Sequence, residues 1–198
     1  MKKILPLFLF SFALLLIQGC TSDSEVMSKM TPQIYAQKVA NIHELEENGK
    51  TALISRYKKR SFSVNTSYHY KDGSFSLEFT GPMGMQYAQI DVYKNGTTYL
   101  KVQGQILKGD NARELLKNEF NIDVPVEQLH SILTGIPEGT LTYDSNGLVK
   151  TALKEDEYFV EYKKYRVTRG DIPLPTNLEV TTPYTKLVIS IYNVTRLN

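Results

Sequence analysis

Two neighbouring stretches alternate apolar and polar residues with a period of two. In Ser74–Thr80, Phe75, Leu77 and Phe79 alternate with Ser76 and Glu78; in Tyr87–Tyr93, Ala88, Ile90 and Val92 alternate with Gln89 and Asp91. Each reads as a strand with one apolar face. The connection, Gly81-Pro82-Met83-Gly84-Met85-Gln86, takes turn chemistry from its proline and glycines, yet its tip carries two methionines and no charge lies between Glu78 and Asp91. An apolar side chain at a loop tip either folds back onto the sheet or meets an apolar partner outside the chain.

Strand texture extends on both sides of this hairpin. Thr51–Lys58 is one expected strand, and Arg60–Tyr70 is another in which Phe62, Val64, Thr66, Tyr68 and Tyr70 share a face. Lys94-Asn95-Gly96-Thr97 carries an Asn-Gly hairpin signal, after which Thr98–Val102 pairs back. The period then becomes helical over residues 109–120, with Asp110 as a cap candidate, and over Pro125–Leu133, which opens on proline; Leu115, Leu116, Phe120, Leu129, Ile132 and Leu133 give this pair a broad apolar side. An earlier helix starts at Pro32 behind Thr31, and a polar loop ending at Gly49 follows it. Strands return at Leu141–Tyr143, Leu148–Leu153, Tyr158–Tyr165, Asn177–Thr182 and Lys186–Val194, with a loop over residues 169–175. About ten strands joined by short turns predict a mainly β (α+β) fold: a single curved antiparallel sheet, a half or incomplete barrel, with a helical lid over an apolar internal cavity. A fully packed barrel or sandwich would use the same side chains, and periodicity alone does not exclude it.

The N-terminus has a different grammar. Met1-Lys2-Lys3 precedes an apolar run from Ile4 to Ile17 that is too short and wrongly flanked to span a bilayer, and a small residue, Gly19, stands before Cys20. This is a secretory signal. Ile17-Gln18-Gly19-Cys20 resembles the bacterial lipoprotein box, which implies cleavage of residues 1–19 and acylation at Cys20, followed by a tether over residues 20–30 and one domain over 31–198. Cys20 is the only cysteine among 198 residues, so no disulfide is available within the chain. Thr21 is not the aspartate that in enteric bacteria retains lipoproteins in the inner membrane, and by resemblance the outer membrane, periplasmic face, is the expected address. Loss of Lys2 and Lys3 reduces the 23 basic residues to 21 against 21 acidic ones. A neutral mature chain argues against a nucleic-acid partner or a polybasic membrane footprint.

Catalytic and metal chemistry find little support. His43, His69 and His130 fall in a polar helix end, a strand and a helix without ligand spacing, so no metal site is expected. There is no Gly-x-Ser-x-Gly elbow and no phosphate-binding glycine-rich loop, so neither an enzyme nor a cofactor is expected.

The order of the pieces is similar to the LolB family. Leu77-Glu78-Phe79-Thr80-Gly81-Pro82-Met83-Gly84 corresponds to an apolar strand ending in Pro-Leu-Gly, and Leu107–Leu116 to a helix entrance. Pro125–Pro137 matches a Pro-x-x-x-Leu segment ending in Gly-Leu-Pro, with Tyr158–Tyr165 and Leu174–Val180 following in order. The resemblance covers most of residues 50–198. It departs in lacking the family's tryptophans, with Ile132, Tyr158 and Tyr192 at the equivalent places, and in Met83 replacing a leucine. The resemblance implies an outer-membrane receptor that takes acylated lipoproteins from the periplasmic carrier LolA and inserts them into the membrane, probed through Pro82, Met83 and Gly84 as a membrane-insertion loop. It implies a monomer whose acyl-chain cavity is lined by Phe62, Val64, Phe75, Leu77, Phe79, Ile90, Val92, Val160, Leu187, Ile189 and Ile191 on the sheet, under Leu116, Leu129, Ile132 and Leu133 of the lid. A lipid-binding or scaffold lipoprotein on the same curved sheet is the alternative, separable by whether lipid co-purifies.

Overall fold

The computed structural model describes residues 23–55 and 60–198; Cys20 and the signal segment lie outside them, as do Arg56, Tyr57 and Lys58 of the strand expected over Thr51–Lys58. Eleven described strands form one sheet: β1 (Glu44–Ser55), β2 (Arg60–Lys71), β3 (Ser74–Thr80), β4 (Gln86–Val92), β5 (Thr98–Val102), β6 (Gln105–Gly109), β7 (Thr140–Tyr143), β8 (Val149–Lys154), β9 (Tyr158–Thr168), β10 (Ile172–Thr181) and β11 (Thr185–Leu197). The order across the sheet is β6-β5-β4-β3-β2-β1-β11-β10-β9-β8-β7. Two antiparallel meanders therefore meet where β1 pairs with β11. A right-handed twist accumulated over that many strands curls the sheet.

The helices follow from this order. α1 (Asp23–Ser28) and α2 (Pro32–Ala40) precede the sheet, while α3 (Ala112–Phe120) and α4 (Leu129–Leu133) lie between β6 and β7. Since β6 and β7 are opposite edges, the segment joining them must travel across the sheet. It crosses the apolar face. α2 begins as expected, with the Thr31 hydroxyl accepting from the Ile34 N–H; α3 is capped by Asn111 rather than Asp110, its side chain accepting from the Glu114 N–H.

Four segments differ from the sequence expectation. Glu44–Gly49, expected as a polar loop, is the first half of β1: outward positions 44, 46 and 48 are polar, and Glu47 hides the inward alternation, leaving Leu45 as its one apolar marker. Gln105–Gly109 adds an edge strand. Ile172–Pro175, expected as a loop because of its two prolines, belongs to β10, where pairing with β9 shifts register just after Pro175; prolines are tolerated at such irregularities. Asp23–Ser28, expected within a polar tether, is helical with Val26 buried.

The concave face is filled unevenly. Over β8–β10 the core is solid, with Ala152, Val160, Leu174 and Leu178 fully buried beneath Tyr35 of α2 and Ile132 of α4. Tyrosine hydroxyls pin the covering layer: Tyr35 donates to the Thr134 carbonyl at 2.7 Å and Tyr162 to the Ile132 carbonyl at 2.9 Å. Over β1–β5 and β11 the cover stands away from the sheet.

Candidate functional site: an apolar cavity with a loop at its mouth

The space left there is a cavity of about 630 Å³. This is ample for a ligand of drug or lipid-chain size. Its floor is built from inward residues of β1 to β5 and β11, and its roof from Leu116 and Phe120 of α3, Ile122, Val124 and Val126 of the connection, and Leu129 and Leu133 of α4. Strand register gives it depth. Thr66, Phe79, Ala88 and Val102 are linked across neighbouring strands in one row, Tyr68, Leu77, Ile90 and Leu100 form a deeper row, and Phe62, paired with Leu53 of β1, lies four residues further out along β2. The deep row is buried, whereas Phe62 is 50% exposed and Phe120 40%, so the mouth lies at the Phe62 end. Phe62 to Tyr68 on β2 is three pairs of residues, roughly 20 Å along the strand.

At that mouth stands the β3–β4 loop. Pro82–Gly84 forms a single tight turn, closed by the Gly81 N–H donating to the Met85 carbonyl at 2.8 Å. Gly81 packs closely under the Tyr87 ring, which also lines the cavity: a Cβ there would sit 2.3 Å from the ring and push it aside. Met83 itself has φ 61° and ψ 22°, the left-handed conformation, and is 95% exposed. Of the two options open to an apolar tip, folding back onto the sheet is thus not taken. Met85 and Tyr87 are also exposed, so an apolar rim surrounds the tip.

The roof is fastened on both sides. Arg113 of α3 binds Asp123 through Nε to Oδ1 at 2.6 Å, and the Asp123 carboxylate is almost wholly buried. The Asp123 N–H donates to the Thr185 hydroxyl, and the Thr182 hydroxyl donates to the Asp123 carbonyl, tying the α3–α4 connection to the β10–β11 turn. On the other side, His130 of α4 stacks on Tyr70 at 3.6 Å between centroids, and its Nδ1 is 3.1 Å from the Tyr68 hydroxyl. Burial pushes the His130 imidazole down to about 4, so it is neutral at neutral pH.

Of the residues expected to line the cavity, Phe62, Val64, Leu77, Phe79, Ile90, Leu116, Leu129, Leu133, Leu187, Ile189 and Ile191 do so. Phase was readable from the period. Phe75, Val92, Ile132 and Val160 do not: they have the expected inward phase but lie where the face is packed solid, Phe75 against Tyr68 at 5.7 Å between rings, with Ile132 and Val160 wholly buried in the β8–β10 core. A period of two reports which face a residue is on and carries nothing about where along that face the cover lifts away. Missed altogether were Glu47, Gly49, Thr51 and Leu53, the inward row of β1. Thr51 and Thr66 face each other with hydroxyls 3.2 Å apart. Glu47 is 2% exposed, and burial raises its carboxyl to about 8.

The open antiparallel half-barrel is a fold that solved structures share. Solved structures agree at the level of fold: a LolA superfamily protein from Nitrosomonas europaea superposes with a TM-score of 0.50 at 10% identity, covering 83% of this chain and 93% of that one. A DUF1329 family protein from Desulfovibrio piger does so with a TM-score of 0.55 at 10% identity, covering 82% and 89%. Within that architecture, the family model "Outer membrane lipoprotein LolB" matches residues 44–193, and the chain belongs to this family. Among curated relatives, the outer-membrane lipoprotein LolB of Vibrio parahaemolyticus is 24% identical over 95% of this chain and 97% of its own length, and that of Photorhabdus laumondii is 27% identical over 91% and 92%.

Proposed function

We propose that this protein is an outer-membrane lipoprotein receptor: it accepts acylated lipoproteins from a LolA-like periplasmic carrier, holds their acyl chains in the cavity, and releases them into the membrane to which Cys20 anchors it. The observation that carries the reading is the joining of a roofed apolar cavity of about 630 Å³ to a mouth where Met83 is 95% exposed. An acyl chain of roughly sixteen carbons costs about 12 kcal/mol to expose to water, so a receptor must shield it at each step. The cavity supplies the shield. Pro82 and Gly84 hold the turn, and Met83 enters the lipid surface, so the chains leave the mouth next to bilayer rather than water. No nucleotide is needed if the cavity holds the chains more tightly than the carrier and less tightly than the membrane. The protein works as a monomer and is not an enzyme in this reading.

The test mixes residues 21–198 with a carrier loaded with an acylated lipoprotein and then adds liposomes. Movement of the cargo to this protein and onward to the liposomes is expected. Absence of transfer by folded protein would overturn the receptor reading in favour of a lipid-binding or scaffold lipoprotein.

A further inference from the structure

Glu47 lies on the cavity wall at its inner end, opposite Tyr68 in the β1–β2 ladder. Neither of its carboxyl oxygens has a hydrogen-bond partner, and they are the only buried side-chain nitrogen or oxygen atoms in that condition among the described residues. Buried polar atoms without partners are rare in folded proteins, and those that persist need a reason. The neighbouring groups are already engaged. Tyr35 of α2 donates to the Thr134 carbonyl, and the Tyr68 hydroxyl is bonded to His130 of α4. No cation offsets the burial of Glu47, and the titratable groups that face it are Tyr35 and Tyr68, with His130 beyond.

The backbone around Glu47 is also irregular. The β1–β11 register shifts between Glu46 and Glu47 and again between Asn48 and Gly49. Bulges of this kind re-aim side chains beside functional sites. Two independent features therefore converge on one inward carboxyl at the end of an apolar chamber.

We propose that Glu47 is a head-group site: the cavity takes, besides the acyl chains of cargo, a free single-chain lipid with a compact O–H or N–H donor, bound with its head inward on Glu47 and its chain toward the mouth. This rests on the cavity being a lipid site. Orientation follows from position. Glu47 lies roughly 20 Å in from Phe62, a depth that the linkage group of a protein-bound acyl chain cannot reach while the protein stays outside. A free lipid has no such restraint. The protonated carboxyl both donates and accepts, which is the pattern a hydroxyl head matches. The nearby Thr51–Thr66 hydroxyl pair continues the polar line along the floor, while the rest of the lining is mostly apolar, with Ser63, Gln86 and Gln103 as its other polar residues.

The experiment compares dodecanol with dodecyl methyl ether, which differ in one O–H donor, by displacement of a fluorescent fatty probe from the full mature chain carrying Cys20→Ser. Dodecanol is expected to bind about tenfold more tightly, the scale of one well-made hydrogen bond to a buried partner. Glu47→Leu is expected to abolish the preference without weakening the ether, and Glu47→Gln, which also donates and accepts, to keep it. Equal affinity of the wild-type chain for the two, or a preference that persists in Glu47→Leu, would overturn the proposal while leaving the lipid cavity standing. Failure of both to bind the folded chain would overturn the cavity reading and this proposal with it.

Discussion

Ionising Glu47 places a charge on a side chain that is 2% exposed with nothing to offset it. Its carboxyl titrates near 8 when folded against 4.5 when unfolded, so between those values the folded state holds the extra proton and stability falls as pH rises. His130 acts in the opposite sense: near 4 when folded against 6.5 unfolded, it favours the fold as pH rises through that interval. The two slopes oppose each other up to pH 6.5, above which Glu47 acts alone. Stability is therefore expected to drop by about 2 kcal/mol between pH 6.5 and pH 8, at about 1.4 kcal/mol per unit. Urea unfolding at the two pH values should show the drop in the wild-type chain and its absence in Glu47→Leu. Met83 makes the complementary case, because its side chain touches water and little else. Met83→Glu should change stability by less than about 0.5 kcal/mol and leave acyl binding intact, while delivery to liposomes fails; undiminished delivery would remove the loop from the release step. Of these two residues, only Met83 was legible in the sequence. An apolar tip in a turn violates an expectation, whereas a glutamate in a polar stretch violates none until the fold turns it inward.

Among the elements, β1 was the hardest to read and the most consequential. It pairs with both β2 and β11 and so joins the two meanders, yet half of its inward row is Glu47, Gly49 and Thr51. Gly49 shows why that row is not apolar. A Cβ there would lie 2.3 Å from the Ser190 carbonyl oxygen, a backbone atom that no side-chain rotation can move aside. Gly49→Ala is expected to cost about 3 kcal/mol in a denaturant titration, the upper range for overpacking at a backbone contact. The helical cover was easier to place, since Pro125 and the apolar run to Leu133 mark its second half, but its fastening was not visible. Arg113 and Asp123 are ten residues apart and their partners Thr182 and Thr185 some sixty further on. Asp123→Ala should cost about 2 kcal/mol and hasten amide exchange in Ala112–Phe120 more than in α4, which the tyrosine hydroxyls hold independently.

At the scale of the whole molecule, one sheet carries two kinds of interior. Over β8–β10 its face is a packed core, and over β1–β5 it is the floor of a chamber. The alternation of apolar residues is the same in both, which is why Val160 and Ile189 could not be told apart from their sequence neighbourhoods although one is core and the other cavity wall. What separates them is the covering layer, set by contacts such as Tyr35 with Thr134 across ninety-nine positions of chain. Stability should be divided along the same line, because a residue facing the cavity has fewer protein atoms packed against it than its counterpart in the packed half. Hydrogen exchange of the free protein is then expected to be slowest in β9 and β10 and faster in β3–β5 and α3. Adding a bound lipid at a hundred times its dissociation constant contributes about 2.7 kcal/mol to the folded state. That gain should appear as slower exchange in β3–β5 and α3, since those elements form the chamber, with β9 and β10 changing only as far as global unfolding limits them. Protection appearing first in β9 and β10 would place the ligand outside the cavity and overturn the division into a packed half and a receiving half.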